Sequence, residues 1–234
     1  MKSDKIEASW RGQPECDKCD IRHLALFADL REEDFKDVHL PMEDLEFQTG
    51  ASLYRAGEPG RAVFTVRGGL VKLVQYLANG DQRIVRLLRQ GDTAGLEAVL
   101  DQPYRHTAIA MQSTRVCRIP MTTIQRLNAD TPRLYGQFMK RWQQSVDRAD
   151  EWLTFLSTGT ARARIARLFL YLLGDSQEPL CQLFGREDVA AILGITSETS
   201  SRLIAELKRE RIVIALPGNR FRCDISKLHE IASN

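Results

Sequence analysis

The segment spanning residues 186–207 constrains the fold most, because it contains two short helical patterns separated by a turn. Val189 and Leu193 recur at helical spacing, and Ala190 is small enough to let a second helix approach closely. Gly194 follows directly and supplies the positive φ angle that a sharp turn between helices needs. The segment therefore predicts a helix-turn-helix.

The second predicted helix places three polar side chains on one face. Thr196 or Ser197 is its predicted N-cap, and Glu198, Ser201 and Arg202 lie three and four residues apart. In the major groove, arginine donates paired hydrogen bonds to guanine, glutamate accepts from the cytosine amino group, and serine does either. The face is therefore suited to reading DNA bases. The alternative is an ordinary helical hairpin in which Glu198 and Arg202 form an exposed ion pair.

A β-hairpin is predicted directly after these helices. Residues 212–216 have strand composition, residues 217–219 form a Pro-Gly-Asn turn, and residues 220–222 begin a returning strand. Such a hairpin is typical of a wing, whose arginines contact phosphates, although they equally suit a solvated rim. The residues predicted to contact DNA are Arg186, Thr196, Ser197, Glu198, Ser201, Arg202, Arg220 and Arg222.

Composition excludes several classes of protein. The 234 residues are 43% hydrophobic, which suffices for a substantial core, and the formal charge is only +2. The chain has a polar N-terminus and lacks apolar runs of membrane-spanning length, so we expect a cytoplasmic protein without a membrane partner. The chain contains neither a P-loop nor a nucleophile elbow nor a zinc-protease motif, which argues against an enzyme.

The segment from residue 45 to residue 119 predicts an all-β domain, because short apolar stretches alternate with glycine-containing turns. The predicted strands cover residues 62–66, 70–76, 83–88 and 115–119. Asn79 and Gly80 predict a two-residue hairpin turn.

A long helix is predicted to begin near Pro132. Its apolar and small residues recur at alternating steps of three and four, the spacing of a coiled-coil seam between two helices. The alternative is a single helix that packs on its own β domain. The seam consists of Tyr135, Phe138, Trp142, Ser145, Ala149, Trp152 and Leu156.

This order of parts resembles the CRP/FNR family of bacterial transcription regulators over nearly the whole chain. The resemblance implies an α+β fold with an N-terminal cyclic-nucleotide-binding-like β-roll (jelly roll), a long dimerisation helix and a C-terminal winged helix-turn-helix. The domains expected from it are a cysteine-containing segment (1–29), the β-roll sensor (30–130), the dimerisation helix (131–157) and the DNA-binding domain (158–234).

The recognition helix is similar to that of the FNR branch, where residues at the positions of Glu198, Ser201 and Arg202 read the half-site. The resemblance implies a homodimer on a TTGAT…ATCAA palindrome in double-stranded DNA, and contacts with RNA polymerase. Ser200 departs from the family, which usually buries a β-branched apolar residue there. A serine hydroxyl can donate to the carbonyl one turn earlier in a helix, which weakens the helix without excluding it.

Three of the five cysteines resemble ligands of the oxygen-labile [4Fe-4S] cluster of FNR proteins. Cys16 and Cys19 match two of its three N-terminal ligands, and Cys117 matches the distant fourth. The remaining ligand position is occupied by Ala25, so a set of four thiolates is incomplete.

Four interpretations of these thiols remain open. The first is an iron-sulfur cluster completed by Asp17, Asp20 or His23, and the second is a zinc site completed by His23. The third is a reversible thiol switch, and the fourth is cysteines without a sensory role.

Two further departures from the family concern the signal that the protein senses. The FNR branch destabilises its dimer with an aspartate at the position of Ala149, so we expect a constitutive dimer here. The CRP branch binds cyclic AMP through a glutamate where this chain has Leu96, and through an Arg-Ser pair where it has Arg105 and His106. A regulator that binds a cyclic nucleotide or haem, with cysteines that are not sensory, is the alternative function.

Overall fold

The computed structural model describes residues 8–12, 42–130, 133–174 and 178–233. These residues fall into two compact units, one within residues 1–75 and 85–147 and the other within residues 76–84 and 148–234. The domain boundaries expected from the sequence remain predictions.

Among the described residues up to residue 120, nine strands form two antiparallel sheets. One sheet has the order β1-β2-β9-β4-β7 and the other has the order β3-β8-β5-β6. The strands are β1 (Ala8–Gly12), β2 (Glu43–Phe47), β3 (Ser52–Tyr54), β4 (Ala62–Gly68), β5 (Val71–Tyr76), β6 (Gln82–Leu88), β7 (Thr93–Ala94), β8 (Thr107–Ala110) and β9 (Thr114–Pro120). A 3-10 turn, Leu96–Leu100, lies between β7 and β8.

Side chains alternate between the two faces of each strand, and those that face inward form the core of this sandwich. Val66 of β4 lies opposite Val116 of β9 in one sheet, and Leu73 of β5 lies opposite Ala108 of β8 in the other. All four are buried in one hydrophobic cluster, because every second side chain of a strand points to the same face. The predicted all-β architecture is confirmed as a β-sandwich.

Two details of this domain differ from the sequence prediction. The backbone N–H of Leu77 donates to the carbonyl of Asp81, so the hairpin turn has three residues rather than two. Gly80 adopts a φ of +87°, the left-handed conformation that commonly ends three-residue hairpin loops. A helix, α1 (Met121–Asp130), follows β9 and was not predicted. The long helix α2 (Arg133–Leu156) comes next.

The described residues of the C-terminal domain form four helices and a three-stranded sheet. The helices are α3 (Ala161–Leu173), α4 (Arg186–Leu193), α5 (Ser197–Arg209) and α6 (Ile225–Ala232), and the strands are β10 (Leu180–Gln182), β11 (Val213–Leu216) and β12 (Arg220–Cys223). The predicted wing is β11 and β12, and β10 adds a third strand on the outer side of β12. Phe169 of α3 contacts Phe221 of β12 edge to face, which joins the sheet to the helices.

None of the helices in the described parts of the chain is long and apolar enough to cross a membrane.

Candidate DNA-binding interface

Helices α4 and α5 form a helix-turn-helix with well-defined ends. Gly194 ends α4 in the left-handed conformation at φ +62°, and its N–H donates to the carbonyl of Ala190 at 2.8 Å. Thr196 caps α5, because its Oγ1 accepts a hydrogen bond from the N–H of Thr199 at 3.2 Å. Of the two predicted caps, the structure selects Thr196, while Ser197 is the first helical residue and is half-buried.

The structure places Glu198, Ser201 and Arg202 together on the exposed face of α5. Leu203 and Leu207 lie on the opposite, buried face, which packs α5 into the domain. Hydrogen bonds from its own backbone N–H and from a threonine hydroxyl lower the pKa of Glu198. Its carboxylate is therefore an ionised acceptor at neutral pH.

The ion pair on this helix joins Arg202 to Glu206, and not to Glu198 as in the alternative considered from the sequence. Arg202 Nη1 lies 3.3 Å from Glu206 Oε1, one turn further along the helix, and the Arg202 side chain is 66% exposed. An exposed pair of this kind contributes only a few tenths of a kcal/mol, so the guanidinium is readily released to a partner.

Ser200 is buried at 0% relative exposure on the inner face of α5. Its backbone N–H donates to the carbonyl of Thr196, as in any helix. Its Oγ has no hydrogen-bond partner among the described residues, so the back-bond considered from the sequence does not form. Helix α5 therefore carries a buried polar atom without a described partner, at a position where the resemblance noted above implies an apolar side chain.

The three other arginines predicted to contact DNA occupy different environments. Arg220 is exposed beside the wing turn, and its Nε donates to the carbonyl of Pro217 at 3.2 Å. Arg222 is exposed in the middle of the sheet, paired in register with Leu180 on one side and Ile214 on the other. Arg186, the first residue of α4, is partly buried, and this burial lowers its pKa.

The residues of the predicted dimer seam on helix α2 do not all face solvent. Phe138, Trp152 and Leu156 are buried within the chain's own fold, at 6%, 9% and 0% exposure. Phe138 belongs to the β-sandwich core, and Trp152 contacts Tyr171 of α3 edge to face. These three side chains are therefore not available to a second helix.

A different stripe on the same helix is exposed. It repeats at steps of three, four, three and four residues, which is the spacing of a coiled-coil seam. The stripe consists of Met139, Trp142, Val146, Ala149 and Leu153, of which Ala149 is half-buried and the others are exposed. Of the predicted seam it retains Trp142 and Ala149. The hydroxyl of half-buried Ser145 donates to the carbonyl of Arg141 within the helix.

Comparison with known proteins agrees with this geometry in both domains. Residues 44–130 match the cyclic nucleotide-binding domain family, and residues 163–231 match the Crp-like helix-turn-helix domain family. The fumarate and nitrate reduction regulatory protein of Vibrio cholerae is 28% identical over 206 residues, covering 85% of this chain and 82% of that protein. The anaerobic regulatory protein of Pasteurella multocida is 27% identical, with 85% and 75% coverage.

Solved structures agree as well. A CRP-family transcriptional regulator of Thermus thermophilus superposes with a TM-score of 0.70 at 26% identity, over 81% of this chain and 96% of that one. FixK2 of Bradyrhizobium japonicum has the same fold, with a TM-score of 0.71 at 22% identity, over 82% and 98% of the two chains. The chain belongs to the CRP/FNR family of transcription regulators. It is therefore a DNA-binding regulator and not an enzyme.

The described residues show one of the three cysteines that resemble cluster ligands of FNR regulators. Cys117 lies on β9 between Asp44 of β2 and Thr65 of β4, and its side chain is partly buried. Cys16 and Cys19 lie outside the described residues, as do Ala25 and the alternative ligands Asp17, Asp20 and His23. Within the part of the chain that the structure describes, no group of three potential metal ligands occurs.

Two tyrosine side chains pack together in the interior of the β-sandwich of this CRP/FNR regulator. Tyr54 and Tyr104 are buried and stacked with ring centroids 3.9 Å apart. The Tyr104 hydroxyl accepts from the N–H of Ala62 at 3.1 Å and donates to its carbonyl at 2.8 Å. This pair of bonds fixes the ring in the core.

The residues at the positions of the cyclic-nucleotide contacts do not form a binding site in this structure. Leu96 is buried, and Arg105 is exposed to solvent. The backbone N–H of Arg105 donates to Glu97 Oε1 at 3.4 Å, and His106 Nδ1 lies 3.8 Å from the same oxygen. The geometry therefore gives no support to nucleotide binding through Leu96, Arg105 and His106.

Proposed function

We propose that this CRP/FNR regulator binds a TTGAT…ATCAA palindrome as a homodimer, with one helix α5 in each half-site. The observation that carries the proposal is the shared exposed face of Glu198, Ser201 and Arg202 on a capped helix whose other face is buried. Arg202 would donate to guanine, Glu198 would accept from cytosine, and Ser201 would complete the readout.

The neighbouring polar groups would position the helix on the phosphate backbone. Thr196 and Ser197 lie at the N-terminus of α5, where free backbone N–H groups and the helix dipole favour an anion. Arg220 extends this surface at the wing turn, and Arg222 supplies a further positive charge. Arg186 contributes mainly by its charge, because part of its guanidinium is buried.

The dimer would form through the exposed stripe on helix α2. Met139, Trp142, Val146 and Leu153 are large apolar side chains at solvent-exposed positions, and pairing with a second copy would remove them from water. The stripe carries Ala149 where FNR proteins have an aspartate, so charge repulsion does not oppose pairing at this position. The dimer is expected to be constitutive.

DNA affinity tests the roles of the arginines. Arg202→Ala is expected to weaken binding to the palindrome by about 5- to 150-fold, equivalent to about 1–3 kcal/mol, and to relax the preference at one base pair. Arg222→Ala is expected to weaken binding to specific and random duplexes by similar factors. Fluorescence anisotropy with both duplexes at fixed salt measures both effects. If each variant loses the same affinity on both duplexes, the assignment of Arg202 to a base contact is wrong.

Sedimentation tests the dimer with a matched pair of variants. Leu153 is 62% exposed and lies in the stripe, whereas Phe155 is exposed on another side of the same turn. Leu153→Glu is expected to give a folded monomer, and Phe155→Glu a dimer, at micromolar concentration. A wild-type monomer, or equal dissociation of both variants, would contradict the proposed interface.

We further propose that Cys16, Cys19 and Cys117 make the regulator responsive to redox conditions. The proposal rests on the Cys-x-x-Cys spacing of the first two and on the partly exposed thiol of the third. A cluster would need a ligand other than cysteine, because Ala25 replaces one thiolate. Iron and sulfide analysis, together with a visible spectrum of anaerobically purified protein, distinguishes a cluster from a thiol switch. Absorbance lost in air indicates a cluster, whereas colourless protein with oxidisable thiols indicates a thiol switch.

By family resemblance, RNA polymerase is a further proposed partner. Its candidate contact surfaces are the β-domain loop at residues 90–95 and exposed parts of the C-terminal domain. A cyclic nucleotide is the alternative ligand of the β domain, and titration calorimetry with cyclic AMP tests it. Saturable binding would favour that alternative.

A further inference from the structure

Two cysteines that the proposed function does not use lie in contact beneath the wing. Cys181 of β10 and Cys223 of β12 have their Sγ atoms 3.8 Å apart, although 42 positions separate them in the chain. Both are buried, at 6% and 5% exposure. Cys181 lies opposite Phe221 in the antiparallel ladder, so Cys223 is its diagonal neighbour on the same face of the sheet.

The two thiols differ in acidity because they share a hydrogen bond. This bond, together with burial, raises the pKa of Cys181. The same bond lowers the pKa of Cys223, since a thiolate at Cys223 accepts it. Cys223 is therefore the better nucleophile of the pair, and Cys181 is the thiol that holds its proton.

The position of the pair allows the sulfur atoms to approach further. A disulfide requires an S–S distance of about 2.05 Å, so the sulfurs must move closer by roughly 2 Å. Diagonal neighbours in a sheet are usually somewhat farther apart than disulfide-bonded residues, so one strand must shift. Strand β10 has three residues and lies at the edge of its sheet, where only β12 pairs with it among the described strands. A shift of β10 therefore disturbs only one ladder among the described strands, the one with β12.

We propose that Cys181 and Cys223 are a peroxide-oxidisable dithiol that forms an intramolecular disulfide between β10 and β12. The Cys223 thiolate attacks one oxygen of hydrogen peroxide, which forms a sulfenic acid and releases hydroxide. Cys181 then loses its proton, attacks the Cys223 sulfur and displaces the second oxygen as hydroxide. Two thiols and one peroxide thus become one disulfide and two water molecules.

A small oxidant suits the buried position, because larger disulfide reagents cannot reach sulfur atoms of such low exposure. The bond would close a loop that contains α4, α5 and β11, and therefore the whole helix-turn-helix. Cross-links across long loops stabilise the folded state by restricting the unfolded chain. The inference goes beyond the proposed function, since formation of the bond requires no DNA.

The test uses the full-length triple variant Cys16→Ser/Cys19→Ser/Cys117→Ser, in which Cys181 and Cys223 are the remaining two of five cysteines. After peroxide treatment, alkylation under denaturing conditions is expected to find no free thiol. Peptide mapping is expected to find residues 181 and 223 linked, with the mass of two hydrogen atoms lost. The unfolding midpoint of the C-terminal unit is expected to rise by roughly 10 °C, and dithiothreitol is expected to reverse all three changes.

Adding Cys181→Ala to this variant is the matched control, for which one thiol remains and the midpoint does not respond to peroxide. Free thiols after saturating peroxide, links between chains, or oxidation to sulfinic acid would overturn the proposal. Mapping of wild-type protein provides a second measurement that does not depend on the variants folding. Absence of the 181–223 link there, while other cysteines are oxidised, would equally overturn it.

Discussion

Replacing Ser200 with alanine is expected to stabilise the DNA-binding domain. A buried hydroxyl without a hydrogen bond costs about 1–3 kcal/mol. Ser200 is 0% exposed, and its Oγ has no partner among the described residues. Alanine also favours the helix interior over serine by up to about 0.5 kcal/mol. Removal of the oxygen also loses several van der Waals contacts, each of which contributes about 0.1–0.2 kcal/mol. The expected net gain is about 1–2 kcal/mol.

Urea denaturation followed by circular dichroism measures this gain, with Ser201→Ala as the control. Ser201 is exposed on the same helix, so the control makes the same chemical change without removing a buried hydroxyl. We expect Ser201→Ala to change the free energy of unfolding by less than about 0.5 kcal/mol. The thermal midpoint of Ser200→Ala should rise by about 4–8 °C per kcal/mol for a domain of this size.

Equal stability of the two variants would refute this reasoning. It would mean that the Ser200 hydroxyl finds an acceptor in solution, and the carbonyl of Thr196 one turn earlier is the candidate. Loss of stability in Ser200→Ala would establish that this hydrogen bond contributes to the fold.

Three other substitutions test separate parts of the structure by urea denaturation. Thr196→Ala removes the cap of α5 and should cost about 0.5–2 kcal/mol, whereas Thr196→Ser should retain most of the stability. Tyr104→Phe leaves both backbone groups of buried Ala62 without their phenol partner and should destabilise the β-sandwich by about 1–3 kcal/mol. Glu210→Gln tests a pH dependence, because a hydrogen bond with Arg162 lowers the pKa of Glu210. A lowered carboxyl pKa stabilises the fold above the unfolded pKa of about 4.3, and this stabilisation disappears as the pH falls through the folded pKa. The stability difference between wild type and Glu210→Gln should therefore shrink on acidification below about pH 4. A difference that stays constant with pH would contradict this role of the Arg162–Glu210 hydrogen bond.

The helix-turn-helix was predictable because its determinants are local. A glycine at the turn, a capping threonine directly after it and apolar residues at helical spacing act within a few residues of one another. The same holds for the two wing strands, which a three-residue turn connects. The third strand, β10, was not predictable, because it pairs with β12 across about 40 residues of intervening chain.

The dimer helix shows where sequence periodicity stops being sufficient. Two stripes with the same three-and-four spacing overlap on α2, and both contain Trp142 and Ala149. One adds Phe138 and Trp152, and the other adds Met139 and Leu153. The sequence determined that this helix has an apolar repeat. Which of these residues remain exposed depends on packing, because the β-sandwich covers Phe138 and helix α3 covers Trp152.

The order of the structural elements, helix α5 and its three exposed polar side chains thus follow from local sequence, since each depends on neighbouring residues. Tertiary structure alone decided the exposed stripe of α2, the unpaired hydroxyl of Ser200 and the contact of Cys181 with Cys223. These features arise from burial and from distances between residues far apart in the chain, which local periodicity does not encode.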